Sequence, residues 1–374
     1  MPTCYICDTL LKDNNVTEEH IIINACGGRL KSKNLICRRC NSSLGDSFDA
    51  ELAEQLSFFS NAFNVKRHRN PAPTITATQT STGMIYDILP GGYPTLKTPV
   101  RNITKDDNLV TLEIKAKDEK QLKQVLSGLK RTYPQINLDK CMTDAMWQTT
   151  YLDDSVRVST SIGGDGVFRA VCKAAINYYI FSGGDKEFIT HLVPYIKGEK
   201  NLNCVFNYPS KLIEPVLKEE SVSHIIHLQG CSREKILYCY IEYFNALCFF
   251  IILNTEYTGD NISHTYYYDV TSEKTEEVEI PWLFDKELFG NGGYLLTGAN
   301  VEKIKYRFFR TAFISKKIQQ DKHIDSLVEA GIKDVYSKYP DGTILTSDII
   351  NEISDSVARK LTPYYIRFIR KKLI

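Results

Sequence analysis

The sequence carries no excess of either charge: 46 Lys and Arg stand against 45 Asp and Glu in 374 residues, a net of +1 at neutral pH. Global charge therefore names no partner, and any affinity for nucleic acid has to come from local patches. Long hydrophobic runs are also missing. The most apolar stretch, residues 246–253, falls far short of the roughly 18 consecutive apolar residues that a membrane-crossing helix needs, so no membrane partner is expected. The opening residues MPTCYICDTLL lack the basic-then-apolar layout of a secretory signal. Without one, an odd total of 11 cysteines does not read as a disulfide framework, and the chain is expected to be cytoplasmic with reduced thiols. No internal repeat, no G-x-x-x-x-G-K-S/T phosphate loop and no serine-nucleophile motif occurs. With 43% hydrophobic and 24% charged residues the composition is globular, which excludes a disordered, collagen-like or coiled-coil chain.

What is present is a group of cysteines at one end. Five fall in the first 40 residues: Cys4, Cys7, Cys26, Cys37 and Cys40. The other six (Cys141, Cys172, Cys204, Cys231, Cys239, Cys248) lie mostly in apolar stretches and read as small buried hydrophobes. Cys4-Tyr-Ile-Cys7 and Cys37-Arg-Arg-Cys40 are two C-x-x-C pairs. Each pair turns two thiolates toward one point, and two pairs complete a tetrahedral site for Zn²⁺ with no position left for catalysis, so the zinc is expected to be structural. A redox reading of either pair lacks the βαβ context it needs. Cys26 fits neither pair and is read as a bystander.

Between the pairs, residues 16–23 (VTEEHIII) have the β-branched content of a strand. Gly27-Gly28 marks a loop, and residues 30–36 return as a second short strand ending at Cys37. A helical region follows Cys40, with apolar spacing over residues 47–56 and Gly45 bending or dividing it. The order C-x-x-C, Glu-His, Gly-Gly, Asn-Leu-Ile-C-x-x-C-Asn resembles the HNH endonucleases, the ββα-metal nucleases with an added zinc site, over roughly residues 4–56. The resemblance implies His20 as general base and Glu19, where Asp is commoner, as an acidic ligand of a catalytic divalent ion, Mg²⁺ or Mn²⁺. It implies Asn41 as the second ligand of that ion and Asn34 as the residue that orients the loop and the histidine.

The chemistry gives these residue types a reason. Phosphodiester hydrolysis needs a water deprotonated, and a neutral imidazole can take that proton near neutral pH. A hard divalent ion held by one carboxylate and one amide oxygen keeps positions open for phosphate oxygens. Adjacent strand residues point to opposite faces, so Glu19 and His20 need a local twist or a strand end to converge. Arg29, Lys31, Lys33, Arg38 and Arg39 could hold phosphates by charge, although the acids of the same segment nearly cancel them.

The rest of the chain resembles no named family. Residues 61–82 read as a linker with a basic cluster, Lys66-Arg67-His68-Arg69, passing into short strands up to residue 117. Helices are expected over 118–131, 165–181 and 185–195, then strands over 223–228, 235–243, 247–253 and 264–270, forming an antiparallel sheet. His224 and His227 have no clear partner set and read as core or surface histidines rather than a second metal site. Three helices are expected at the end, 299–320, 323–339 and 347–372, the first and last basic with interleaved aromatics. A DNA-facing surface and ordinary helix packing both fit that pattern, the second better.

The expected fold is α+β: a zinc-stabilised ββα-metal (HNH) unit over residues 1–62, then a larger α+β body over 63–374 with an antiparallel sheet and C-terminal helices. The expected function is metal-dependent hydrolysis of DNA, of the kind used in bacterial restriction or phage defence. The body would supply target choice, dimerisation or control through a small-molecule or protein activator, and a homodimer is expected if both strands are cut. Two alternatives stay open: a non-catalytic zinc-dependent nucleic-acid-binding protein, and an RNA-directed nuclease.

Overall fold

The computed structural model describes residues 2–372 apart from 69, 107, 108, 149 and 153, and for residues 46, 47, 368 and 370–372 the backbone alone. The fold is α+β, an N-terminal β/α region followed by a larger body with antiparallel sheets and C-terminal helices. The chain divides into two compact units, Met1–Pro73 with Thr160–Lys316, and Thr74–Ser159 with Lys317–Ile374.

The first unit begins with the N-terminal segment. Strands β1 (Glu19–His20) and β2 (Lys31–Ser32) pair antiparallel, with Glu19 opposite Ser32 and His20 opposite Lys31. Both strands are shorter than the sequence pattern suggests, because Val16 bridges to Cys37 instead of lengthening the ladder and a 3₁₀ turn, Asn24–Cys26, takes up the end of the apolar run. Gly28 has to lack a side chain, since a Cβ there would lie 1.8 Å from the Ile22 carbonyl oxygen. Helix α1 (Arg38–Leu44) starts directly at the second cysteine pair, one π-helical turn spans Gly45–Asp49, and α2 (Ala50–Gln55) and α3 (Ser57–Ala62) complete the segment. The expected break at Gly45 is thus a widened turn rather than a kink.

The chain then enters the second unit. Strands β3 (Ile75–Gln79), β4 (Ile85–Leu89) and β5 (Tyr93–Leu96) form a sheet in the order β5-β4-β3-β8. Its last member, β8 (Val156–Arg157), arrives after the hairpin of β6 (Val100–Asp106) and β7 (Leu109–Lys115) and after helices α4 (Glu119–Thr132) and α5 (Leu138–Thr143). Asp118 caps α4 by accepting from the Gln121 amide.

Back in the first unit, α6 (Asp165–Phe181) is buried on all sides over residues 170–179. The expected second helix is a 3₁₀ stretch, Lys186–Leu192, leading into α7 (Val193–Ile196). A six-stranded antiparallel sheet follows, built from β9 (Val205–Asn207), β10 (Ser223–Cys231), β11 (Ile236–Tyr243), β12 (Leu247–Asn254), β13 (Ile262–Asp269) and β14 (Lys274–Glu276) in the order β14-β13-β10-β11-β12-β9. One face carries an aromatic core around Tyr238, Tyr240, Phe250, Tyr267 and Tyr294, with Phe250 and Tyr294 stacked 4.4 Å apart. On the other face α6 packs across β10–β12, and β11 and β12, covered on both faces, read as nearly continuous apolar runs.

The N-terminal segment is fastened to the α6 face. His224 Nε2 lies 2.8 Å from the Cys26 carbonyl, and the Phe244 amide donates to His224 Nδ1 at 3.2 Å. Phe244 and Asn245 join β11 to β12 with φ of 56° and 50°, the signature of a type I′ turn. An aromatic residue seldom adopts that conformation, and here its ring stacks on Phe59 and Phe63 at 5.5 and 6.0 Å. His224 and His227 are both fully buried, as core histidines.

At the end of the chain, α8 (Lys286–Gly290) precedes α9 (Gly298–Tyr336), a single 39-residue helix where two were expected. The sequence between them, Gln320 to His323, holds no Gly or Pro to stop the first. Helix α10 (Ser347–Lys372) follows, and Gly331 of α9 lets the two cross closely, since a Cβ there would be 2.8 Å from the Val357 Cα. Within the described residues no helix is long and apolar enough to cross a membrane.

Candidate active site

The four sulfurs of Cys4, Cys7, Cys37 and Cys40 lie within 4.8 Å of one another, and Cys7 Sγ is 3.7 Å from Cys37 Sγ. Bonds of about 2.3 Å to one tetrahedral ion place sulfurs about 3.8 Å apart, so the thiols fit a structural zinc. Local structure puts them there. The Cys4 amide donates to the Thr9 carbonyl at 2.9 Å and the Asp8 amide to the Cys4 carbonyl at 2.8 Å, closing a tight knuckle in which Asp8 takes a φ of 57°. Cys37 occupies the N-cap of α1 and Cys40 its first turn. Cys26 is buried apart from the cluster.

A cleft of about 300 Å³ opens beside this frame, lined by Glu18, Glu19, His20, Asn41 and Asp49 among others. Glu19 and His20, successive on the two-residue β1, both line it. Glu19 is 4% exposed and His20 is half-buried. Asn41 enters from α1 one residue after Cys40, with its side-chain amide 3.4 Å from the Thr17 hydroxyl. Asn34 is exposed and does not line the cleft; its backbone amide donates to Ser32 Oγ at 3.1 Å. Burial, with Lys31 nearby, pushes the His20 pKa down, so the imidazole is neutral at neutral pH.

Two residues of the site were not anticipated. Asp49 ends the π-helical turn and lines the cleft, and Lys173 reaches the same carboxylates from α6. Lys173 Nζ is 2.8 Å from Glu19 Oε1 and 2.5 Å from Asp49 Oδ2, while Asn177 Nδ2 donates to Glu19 Oε1 at 3.1 Å and receives the Tyr5 hydroxyl at 2.7 Å on its own oxygen. Asp49 Oδ1 is buried and has no hydrogen-bond partner. Burial pushes the Glu19 carboxyl up against the pull of Lys173. Burial also works against the Lys173 ammonium, but the two carboxylates outweigh it and hold its pKa above the ordinary value. A lysine and an asparagine four residues apart in the apolar run FRAVCKAAINYY were the available signal.

Of the basic residues near the site, Lys31 pairs with Glu18 at 2.7 Å, and Arg29 and Lys66 reach Glu273 at 3.9 and 2.9 Å. Arg69 lies outside the described residues, as do the side chains of Arg370, Lys371 and Lys372. In the first unit Arg307 is buried against Glu242 at 3.6 Å and Lys303 sits over the Tyr208 ring. In the second, Lys360 pairs with Asp334 at 2.8 Å and Arg367 lies over Tyr151 and Tyr364.

The cysteine frame, the short hairpin and the helix carrying Asn41 define an HNH-type zinc-binding module. The family model described as HNH endonuclease matches residues 4–57. No curated protein and no solved structure matches the chain.

Proposed function

We propose that the chain is a metal-dependent endonuclease that hydrolyses DNA phosphodiester bonds in this cleft. The observation that carries the reading is the meeting of Glu19, His20 and Asn41 in one cleft, on a module of HNH type whose thiols fit zinc. Cys40 fixes the helix on which Asn41 stands, so the zinc frame positions a catalytic side chain as well as the fold. Glu19 and Asn41 would hold the divalent ion, and Asp49 Oδ1, buried without a partner, marks the cleft as suited to a cation. When bound, that ion supplies Lewis acidity to the scissile phosphate and the leaving oxygen. His20, neutral and half-buried, takes the proton from the attacking water; the water oxygen bonds to phosphorus, one P–O ester bond breaks, and the leaving oxygen takes up a proton from solvent while His20 later returns its own to solvent. Asn34 would act from outside the cleft by ordering the loop between β2 and α1.

The residues beyond 62 would supply target choice, dimerisation or response to a small-molecule or protein activator, a division of labour suited to restriction or phage defence. The reading is tested with supercoiled plasmid and a matched RNA, each incubated with Mg²⁺, with Mn²⁺ or with EDTA. Metal-dependent nicking of DNA alone is expected. Cutting of RNA alone would move the assignment to an RNA-directed nuclease, and binding without cleavage in every metal would leave a zinc-dependent nucleic-acid-binding protein.

A further inference from the structure

The ammonium of Lys173 is a resident cation behind the cleft. It is 1% exposed, does not line the cleft, and binds one oxygen of Glu19 and one of Asp49. Nothing in the proposed chemistry requires it there, and a lysine buried in the middle of a helix is costly unless its partners are worth more. Its contacts leave Asp49 Oδ1 buried and unpartnered in a residue that lines the cleft, and a buried carboxylate oxygen persists in that state where a bound group completes it. Glu18, which lines the same cleft, is paired with Lys31 at 2.7 Å.

We propose that Asp49 joins Glu19 and Asn41 as a ligand of the divalent ion, and that Lys173 sets the charge of this carboxylate pair so that the ion and the phosphodiester bind together. This rests on the nuclease reading and specifies the control of the same site. Two carboxylates and one ammonium sum to one negative charge. A divalent ion alone turns the site positive, and one phosphodiester returns it to neutral. In a poorly solvated cleft such imbalances weigh more than they do in water, so the ion binds weakly until the substrate arrives. Without the ammonium the ion alone would neutralise the pair and would no longer depend on nucleic acid. Lys173 is thus a positioning residue: it acts on the ion through the carboxylates it holds, from a helix of the body.

The test measures Mn²⁺ affinity by electron paramagnetic resonance on full-length, zinc-loaded protein, with and without a short duplex DNA. His20→Ala serves as the parent so that the DNA stays intact. DNA is expected to tighten Mn²⁺ binding to the parent by about tenfold or more. Adding Lys173→Met is expected to tighten Mn²⁺ binding without DNA by about tenfold and to remove most of the enhancement by DNA, whereas Lys173→Arg keeps the parental pattern. Asp49→Asn is expected to weaken Mn²⁺ binding by about tenfold in both conditions, and it carries the test if Lys173→Met fails to fold. Mn²⁺ affinities of folded Lys173→Met and folded Asp49→Asn that stay within about twofold of the parent would overturn the proposal. If cleavage depends on His20 while these affinities stay unchanged, this inference alone falls. If the parent binds no Mn²⁺ with or without DNA, the nuclease reading falls with it.

Discussion

His224 has its proton placed by its surroundings. Nε2 faces the Cys26 carbonyl and so carries the hydrogen, while Nδ1 accepts from the Phe244 amide and has no room for a second proton. Burial pushes its pKa from 6.5 down to about 4, and does the same to His227, whose Nδ1 meets the Thr265 hydroxyl at 2.9 Å. The unfolded chain therefore binds protons first as the pH falls. The stability these two residues contribute is complete above about 6.5 and is lost as the pH drops toward about 4, on the order of 3 kcal/mol for each histidine. Urea unfolding at pH 7 and pH 4.5 measures it: the midpoint should fall on acidification, and His224→Gln, which keeps a donor and an acceptor, should fall less. Equal losses in the two proteins would contradict this. That Glu19, His20 and Asn41 line one cleft could be expected from the sequence, because their order between the cysteine pairs resembles that of the HNH endonucleases. Asp49 and Lys173 were not, since one depends on a widened helical turn and the other on a helix more than a hundred residues away.

Helix α9 shows what periodicity leaves open. Two helices were expected where one runs on, because an apolar pattern can change phase without the chain breaking when no Gly or Pro stands between. The boundaries of α6, by contrast, were read correctly at Asp165 and Phe181, where glycines mark both ends. Gly331 gives an element-level prediction. A glycine inside a helix is normally improved by alanine, by roughly 1 kcal/mol. Here the added Cβ would meet the Val357 backbone at 2.8 Å, and backbone cannot swing aside as a long side chain can. Overpacking of this kind costs about 1–3 kcal/mol, so Gly331→Ala should destabilise the second unit despite the propensity gain. A higher unfolding midpoint would contradict the close crossing. In the N-terminal segment, Cys37→Ser removes one thiolate and is expected to abolish zinc retention and lower the melting temperature, checked by metal analysis and calorimetry. Full zinc content in that variant would contradict a four-thiol site.

The N-terminal segment belongs physically to its unit and not to itself. Glu19 and Asp49 meet Lys173 of α6, Phe59 stacks on Phe244, and the Cys26 carbonyl meets His224 of the sheet. A fragment of residues 1–73 would expose these groups and leave Glu19 and Asp49 without their counter-ion. It should therefore lack the cooperative melting of the full chain even when loaded with zinc. A cooperative transition within a few degrees of the whole protein's would contradict this. The partition of the chain could not be read from its sequence, because residues 160–316 return to the same unit after a long excursion and nothing local marks the return. The most direct measurement is cleavage of supercoiled plasmid by the full-length protein and by His20→Ala, both folded and carrying equal zinc, in Mg²⁺ or Mn²⁺ with an EDTA control. Metal-dependent nicking that drops by a factor on the order of a hundred or more in His20→Ala is expected for loss of a general base. Undiminished cleavage by a folded, zinc-loaded His20→Ala protein would contradict the role of this histidine and, with it, the proposed chemistry of the cleft.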